Sequence, residues 1–186
     1  MSTPLRFTVS DLELLPEDGN RYEIIDGVLH VSTQPDWHHQ YVGDQLIRAL
    51  FVWDPRQERG VPISAPGLIL APDQAVAPDL VWINRDRFAS VVGPEGKLHA
   101  APDLVVEILS PGAANAQRDR ELKLELYSRF RVREYWIVDW RTPTLEVYRR
   151  DQAALTLVAT LSAEERLTSP LLPGFTVLVR DLCATP

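Results

Sequence analysis

The feature that most constrains the fold of this chain is one carboxylate inside a short apolar run. Glu107 lies in "APDLVVEILS", residues 101–110, where a buried strand normally carries another Val or Leu. An ionised carboxylate in a low-dielectric core costs several kcal/mol unless it is paired, protonated or bound to a metal. The chain must therefore fold so that a partner for Glu107 reaches the buried strand.

Residues 103–139 predict a strand, a helix and a second strand in that order. The first strand is "DLVVEIL", and the β-branched and aromatic run "EYWIVDW" is typical of the second. Between them, Leu122, Leu126 and Phe130 repeat at i, i+4 and i+8, which predicts a helix over 115–130. If the two strands are parallel, the segment is a right-handed βαβ unit.

Shorter patterns on either side of this unit predict a mixed α/β domain. A β-hairpin is predicted over 21–32, with its turn at Asp26-Gly27, and an amphipathic helix is predicted over 38–53. "GLILAP" and "PDLVWI" indicate buried strands, while "TLEVYRR", "LTLVAT" and "FTVLVRD" indicate an antiparallel C-terminal extension. We expect one domain over 1–186, its core at about 20–150, in which helices flank a mixed central sheet.

Composition excludes several classes of function. The formal net charge of −7 is the wrong sign for a protein that coats nucleic acid, so a local basic patch or a metal would have to offset it. Cys183 is the only cysteine, which excludes an intrachain disulfide and a zinc site built from cysteines. With neither an 18-residue apolar run nor a signal-peptide pattern, we expect a cytoplasmic protein without a membrane partner.

A repeated motif supplies a candidate partner for Glu107. "APDLVW" at 77–82 recurs as "APDLVV" at 101–106, which puts Asp79 at the entrance of one buried strand and Glu107 within another. Neighbouring strands lie about 5 Å apart, so the two carboxylates would repel unless a hard divalent cation bound both. Asp103 repeats the Pro-Asp pair, and we expect it to be a residue of the strand start.

Lys123 is the best candidate for a protein cation at this position. It lies in the helix that follows the Glu107 strand, flanked at helical spacing by Arg120 and Tyr127. A βαβ crossover packs its helix back on the sheet, so a long lysine side chain can reach the carboxylates. A pair of acids with a lysine is suited to phosphodiester hydrolysis.

These residues resemble a known family. The Pro-Asp pair at 78–79, Glu107 and a lysine resemble the PD-(D/E)XK nuclease superfamily. More closely, "YEIIDG", "HHQ", "APDLVVEILSP", "RDRELKLELY" and "VREYWIVD" resemble the Uma-type family of small bacterial restriction-endonuclease-like proteins, over roughly residues 20–150. One position departs from the superfamily pattern: Leu109 stands where the lysine is expected, two residues after the acid.

The resemblance implies a restriction-endonuclease-like fold and a set of roles. Asp79 and Glu107 would bind Mg²⁺ or Mn²⁺, and Lys123, supplied from the next helix, would position the attacking water or offset charge on the phosphorane. Glu23 would be an additional acid near the metal. We predict further that the substrate-binding residues are His39, Arg120 and Tyr127.

Each residue also has a purely structural interpretation. Glu107 could pair with an arginine, and Asp79 could accept backbone N–H groups in a turn. Lys123 and Glu23 could be solvated, and His39 could cap its helix. The arginines around the second predicted helix could simply pair with neighbouring acids.

Two functions remain open at this stage. The first is a metal-dependent endonuclease that hydrolyses nucleic acid, with DNA as the favoured substrate and a homodimer as the expected assembly. The second is a catalytically inactive protein that keeps the nuclease fold and works by binding or oligomerisation. The tryptophans Trp37, Trp53 and Trp140 could mark an oligomer face or belong to the core.

Overall fold

A computed structural model describes residues 5–184 and shows a mixed α/β fold. The strands are β1 Arg21–Ile25, β2 Val28–Ser32, β3 Gly60–Ser64, β4 Leu68–Ala71, β5 Gln74–Val76, β6 Leu80–Asn84, β7 Leu104–Ile108, β8 Glu134–Asp139, β9 Thr144–Asp151, β10 Ala154–Ser162, β11 Arg166–Ser169 and β12 Leu172–Leu178. The helices are α1 Val9–Leu12, α2 Trp37–Trp53, α3 Arg85–Val91, α4 Ala113–Gln117, α5 Leu124–Arg129 and α6 Val179–Cys183. A π-helical segment, Arg118–Lys123, joins α4 to α5.

The central sheet has six strands in the order β10-β9-β8-β7-β6-β3. Strands β7 and β8 are parallel and the other neighbours are antiparallel, so the sheet is mixed and the predicted βαβ unit is confirmed. Leu80 of β6 lies opposite Val106 of β7. Extending that register by one residue sets Asp79 opposite Glu107, on neighbouring strands as expected.

A second sheet carries the N-terminal hairpin, in the strand order β2-β1-β5-β4. The hairpin of β1 and β2 turns at Asp26 and Gly27, which both have the positive φ values that such a turn requires. Strand β5 pairs with β1 through Ile24 and Ala75. The predicted hairpin over 21–32 is therefore confirmed, but its strands belong to a separate sheet.

The alternation of β7 assigns its side chains to two hydrophobic clusters. Leu104, Val106 and Ile108 pack with α2 and the C-terminal strands, whereas Val105 and Leu109 pack with α5. Glu107 has the parity of Val105 and Leu109 and so faces the helix 113–129. Leu109, which stands at the expected lysine position, is a fully buried apolar residue.

Several elements differ from the prediction. Strands β3 and β5 and helix α3 lie in segments where none was predicted, because their short patterns carry little periodic signal. Strands β9 and β10 extend the central sheet itself, while β11 and β12 form a separate two-stranded sheet. Within residues 5–184, no helix combines the length and the apolar character that crossing a membrane requires.

The second predicted helix exists, but its inward face departs from the predicted stripe at Leu122. Leu122 of the predicted stripe is 40 % exposed, and the buried positions are instead Asp119, Lys123, Leu126 and Tyr127. The π-helical segment widens the turn between 118 and 123, a feature that often marks functional sites. Charged residues thereby occupy the face that packs on the sheet.

Candidate active site

Glu107 meets two donors from the helix above its strand. The Nζ atom of Lys123 donates to Oε1 of Glu107 at 3.0 Å, and the hydroxyl of Tyr127 donates to the same oxygen at 2.8 Å. Lys123 and Tyr127 lie one helical turn apart and therefore share a helix face. The buried strand carboxylate thus has the partner that its position required.

Lys123 is the centre of a buried charge cluster. Its ammonium lies 3.0 Å from Oε1 of Glu23, 3.0 Å from Oε1 of Glu107 and 3.6 Å from Oδ1 of Asp119, and the residue is 1 % exposed. Burial alone would lower the pKa of Lys123, but Glu107, Glu23 and Asp119 together raise that pKa above its ordinary value. Lys123 is therefore a charged ammonium at neutral pH.

Glu23 comes to the cluster from the second sheet. Glu23 lies on β1 two residues before Ile25, so both side chains face the hydrophobic cluster that contains α5. The Oε1 atom of Glu23 accepts a hydrogen bond from the backbone N–H of Ala77 at 3.0 Å. Burial opposes its ionisation, yet the charge of Lys123 and the Ala77 hydrogen bond lower the pKa of Glu23 overall. Glu23 is therefore held as a carboxylate.

Asp79 is anchored on three sides. Its Oδ1 accepts a hydrogen bond from Arg21 at 2.9 Å, and its Oδ2 accepts the backbone N–H of Ile108 at 2.8 Å and lies 3.1 Å from Nε2 of His39. Burial would raise the pKa of Asp79, but His39, Arg21 and Lys123 lower it well below its usual range. Asp79 thus stays ionised.

The pKa of Glu107 is shifted in the opposite direction to that of Asp79. Desolvation raises the pKa of Glu107 to about 8, against the pull of Lys123, and the charges of Asp79, Asp119 and Glu23 add to the increase. Two carboxylates on neighbouring strands therefore have pKa values that are pushed apart. Perturbation of this kind is concentrated at functional sites.

A cavity of about 460 Å³ adjoins this cluster. Asp79, Glu107, Lys123 and His39 line it, together with three residues that the sequence analysis did not place in the site: Arg21, Arg118 and Asp119. Arg118 and Asp119 lie in the π-helical segment, and Arg21 starts β1. Within the described residues, Oδ1 of Asp119 and Nδ1 of His39 are buried without a hydrogen-bond partner.

Two of the predicted substrate-binding residues lie outside the cavity wall. Tyr127 is buried behind Glu107 and contacts it directly. Arg120 points to the other side of its helix, where its guanidinium pairs with Glu146 at 2.7 Å. Arg118, two residues earlier, takes the place expected for Arg120, because the widened turn rotates the inward face.

Asp103, the second acid of the repeated motif, lies at the opposite end of its strand. Its side chain is fully buried and accepts a backbone N–H from Asn84 at 2.9 Å. It also pairs with Arg87 at 2.8 Å and with Arg133 at 3.4 Å. These contacts agree with the expected role at the start of the strand.

The donor set of the cavity fits a hard cation. A carboxylate has about four lone-pair sites; Asp79 uses three of them, and the two hydrogen bonds to Glu107 both end on Oε1. No group of three or more His, Cys, Asp and Glu residues among 5–184 forms a metal site by itself. Mg²⁺ commonly binds through one or two carboxylates and keeps water or phosphate oxygens as its remaining ligands.

Comparisons with known proteins agree with this fold. The family model Uma2, described as "Putative restriction endonuclease", matches residues 9–181. A solved structure from Anabaena variabilis ATCC 29413, titled as a putative nuclease belonging to DUF820, matches with a TM-score of 0.76 and 17% sequence identity. That match covers 95% of this chain and 97% of the other. The search of curated proteins found no match.

Proposed function

Because this chain belongs to the Uma2 family of restriction-endonuclease-like proteins, we propose that it hydrolyses phosphodiester bonds of DNA with the help of Mg²⁺ or Mn²⁺. The proposed catalytic residues are Asp79, Glu107, Lys123 and Glu23. The observation that carries the proposal is the contact of the Lys123 ammonium with two buried acids, Glu23 and Glu107, beside a cavity that Lys123, Glu107 and Asp79 line. A fold alone does not establish an activity, but this buried charge cluster costs stability that a merely structural core would not need.

Asp79 and Glu107 would hold the metal ion, which when bound supplies Lewis acidity at phosphorus and lowers the pKa of a water. Arg21 and Arg118 bring positive charge to the cavity and would bind the phosphate, offsetting the acidic field of the protein. Lys123 keeps Glu107 oriented and would stabilise the charge that develops on the non-bridging oxygens. Glu23 and Tyr127 fix Lys123 and Glu107 in turn.

The direct test is a cleavage assay on plasmid, linear duplex and single-stranded DNA and on RNA, with Mg²⁺ or Mn²⁺ and with EDTA. Glu107→Gln and Lys123→Met should lower the rate at least 100-fold, while Glu125→Gln, an exposed acid on the same helix, should keep it. Cleavage that persists in EDTA, or that is equal in all variants, would refute the proposal. Binding without any cleavage would instead support the inactive nuclease-fold module.

A further inference from the structure

Three aromatic rings form a stack at the protein surface. The Trp37 and His38 rings lie 3.6 Å apart between centroids, at 28° between planes, and the His38 and Trp140 rings lie 4.7 Å apart, at 4°. Trp140 packs against the hydrophobic core, whereas Trp37 is 57 % exposed. The stack therefore begins in the core and ends in an indole that faces solvent.

Two residues of the stack are flanked in sequence by residues that line the cavity. Trp37 and His38 lie between Asp36 and His39 in the first turn of α2, and both of these flanking residues line the cavity. Trp140 directly follows β8, and Glu107 lies near the C-terminal end of β7. Because β7 and β8 are parallel, the two residues lie at the same end of the sheet. The exposed indole thus lies within one helical turn of residues that line the cavity.

We propose that Trp37 is a stacking platform for an unpaired nucleobase of the nucleic acid whose phosphodiester enters the cavity, which makes the substrate single-stranded or locally unpaired. This inference rests on the proposed function, since it needs a nucleic acid in the cavity. Nucleobases stack on aromatic side chains without regard to sequence, because each base has a π-face. In a paired duplex those faces are covered by neighbouring base pairs, so an indole reaches only a base that is out of the stack.

Two observations favour a nucleobase over a second protein chain on this indole. The neighbours of Trp37 in the same turn, Asp36 and Gln40, are exposed polar residues, and Tyr41 one turn later is only partly exposed, so the indole is the most exposed apolar group of this turn. Arg21, which pairs with Asp79, and Arg118 line the adjoining cavity, so two guanidinium groups lie where the phosphates of the same strand would bind. An aromatic ring next to basic side chains is the usual composition of a single-strand binding site.

The test is equilibrium binding by fluorescence anisotropy in EDTA, so that no cleavage interferes. Labelled probes of one sequence are a single strand, the duplex, and a single strand whose bases are replaced by abasic sites. Trp37→Ala should weaken binding of the single strand about tenfold or more, and Trp37→Phe by less than about threefold. Leu157→Ala, which removes another exposed apolar side chain on β10, should change nothing.

The abasic probe separates stacking from charge. Wild-type protein should bind it as weakly as Trp37→Ala binds the intact strand, and duplex binding should be the same in both proteins. The proposal is overturned if wild-type protein does not bind the single strand, if Trp37→Ala weakens single strand and duplex equally, or if Trp37→Ala converts a dimer to a monomer in sedimentation. Cleavage activity is measured separately, so loss of the stacking site and loss of the proposed hydrolysis are distinguishable.

Discussion

Replacement of Lys123 by methionine tests the charge cluster most directly. Removing one partner from a buried ion pair typically costs about 3–5 kcal/mol, because it leaves an uncompensated buried charge. Here the loss would leave Glu23, Glu107 and Asp119 facing one another without the ammonium. At pH 8 we therefore expect Lys123→Met to lower the free energy of unfolding by about 3–5 kcal/mol.

The loss in free energy of unfolding caused by Lys123→Met should be smaller at low pH, and the direction of this change follows from the pKa of Glu23. Burial raises the pKa of Glu23, whereas Lys123, the Ala77 hydrogen bond and Arg118 lower it, so the loss of Lys123 moves this pKa upward. An acid whose folded-state pKa is raised binds more protons in the folded than in the unfolded protein, and stability then falls as pH rises above its ordinary value. Each unit by which this pKa moves changes the free energy of unfolding by about 1.4 kcal/mol across the titration.

The assay is urea unfolding followed by tryptophan fluorescence at pH 5 and pH 8. Lys97→Met is the matched control, since Lys97 is the only other lysine in the chain and its replacement removes the same charge. We expect the control to change the free energy of unfolding by less than about 1 kcal/mol at both pH values. Adding Glu23→Gln to Lys123→Met should recover part of the loss at pH 8. A deficit below about 1 kcal/mol at pH 8, or one equal at both pH values, would refute the reasoning.

Three further predictions concern the same region. Burial raises the pKa of Glu107 to about 8, and a proton on Glu107 competes with a bound cation. The apparent Mn²⁺ affinity measured by calorimetry should therefore rise about tenfold from pH 6 to pH 7 and level off above pH 8. An affinity that does not change with pH would exclude Glu107 as a ligand. Tyr127→Phe removes the hydroxyl that donates to Glu107 and should cost about 1–3 kcal/mol in urea unfolding, and an unchanged midpoint would contradict the contact. Leu126→Ala should cost about 2–5 kcal/mol and Leu122→Ala much less, whereas equal losses would argue for the Leu122 face packing inward.

Much of the fold could be predicted because the relevant signals are local. The apolar run of β7, the helical spacing after it and the β-branched and aromatic run of β8 predicted the βαβ unit, and the repeated "APDL" predicted that Asp79 and Glu107 would lie on neighbouring strands. The helical face was predicted wrongly at Leu122, because apolar spacing assumes 3.6 residues per turn and the π-helical segment departs from that value. The same departure places Arg118, rather than Arg120, in the cavity.

What the sequence alone determined is that a carboxylate in a buried strand needs a cationic partner, and that Lys123 in the next helix is within reach of it. The family resemblance implied Glu23 as a further acid, and the tertiary structure alone decided how it and the other charges meet Lys123. Glu23 and Arg21 come from the second sheet, at a large sequence distance from Glu107, and no local periodicity reports how two sheets pack against each other. The carboxylate at position 107 was therefore recognisable from its neighbours in sequence, while its charge state is set by residues that only the packed fold brings to it.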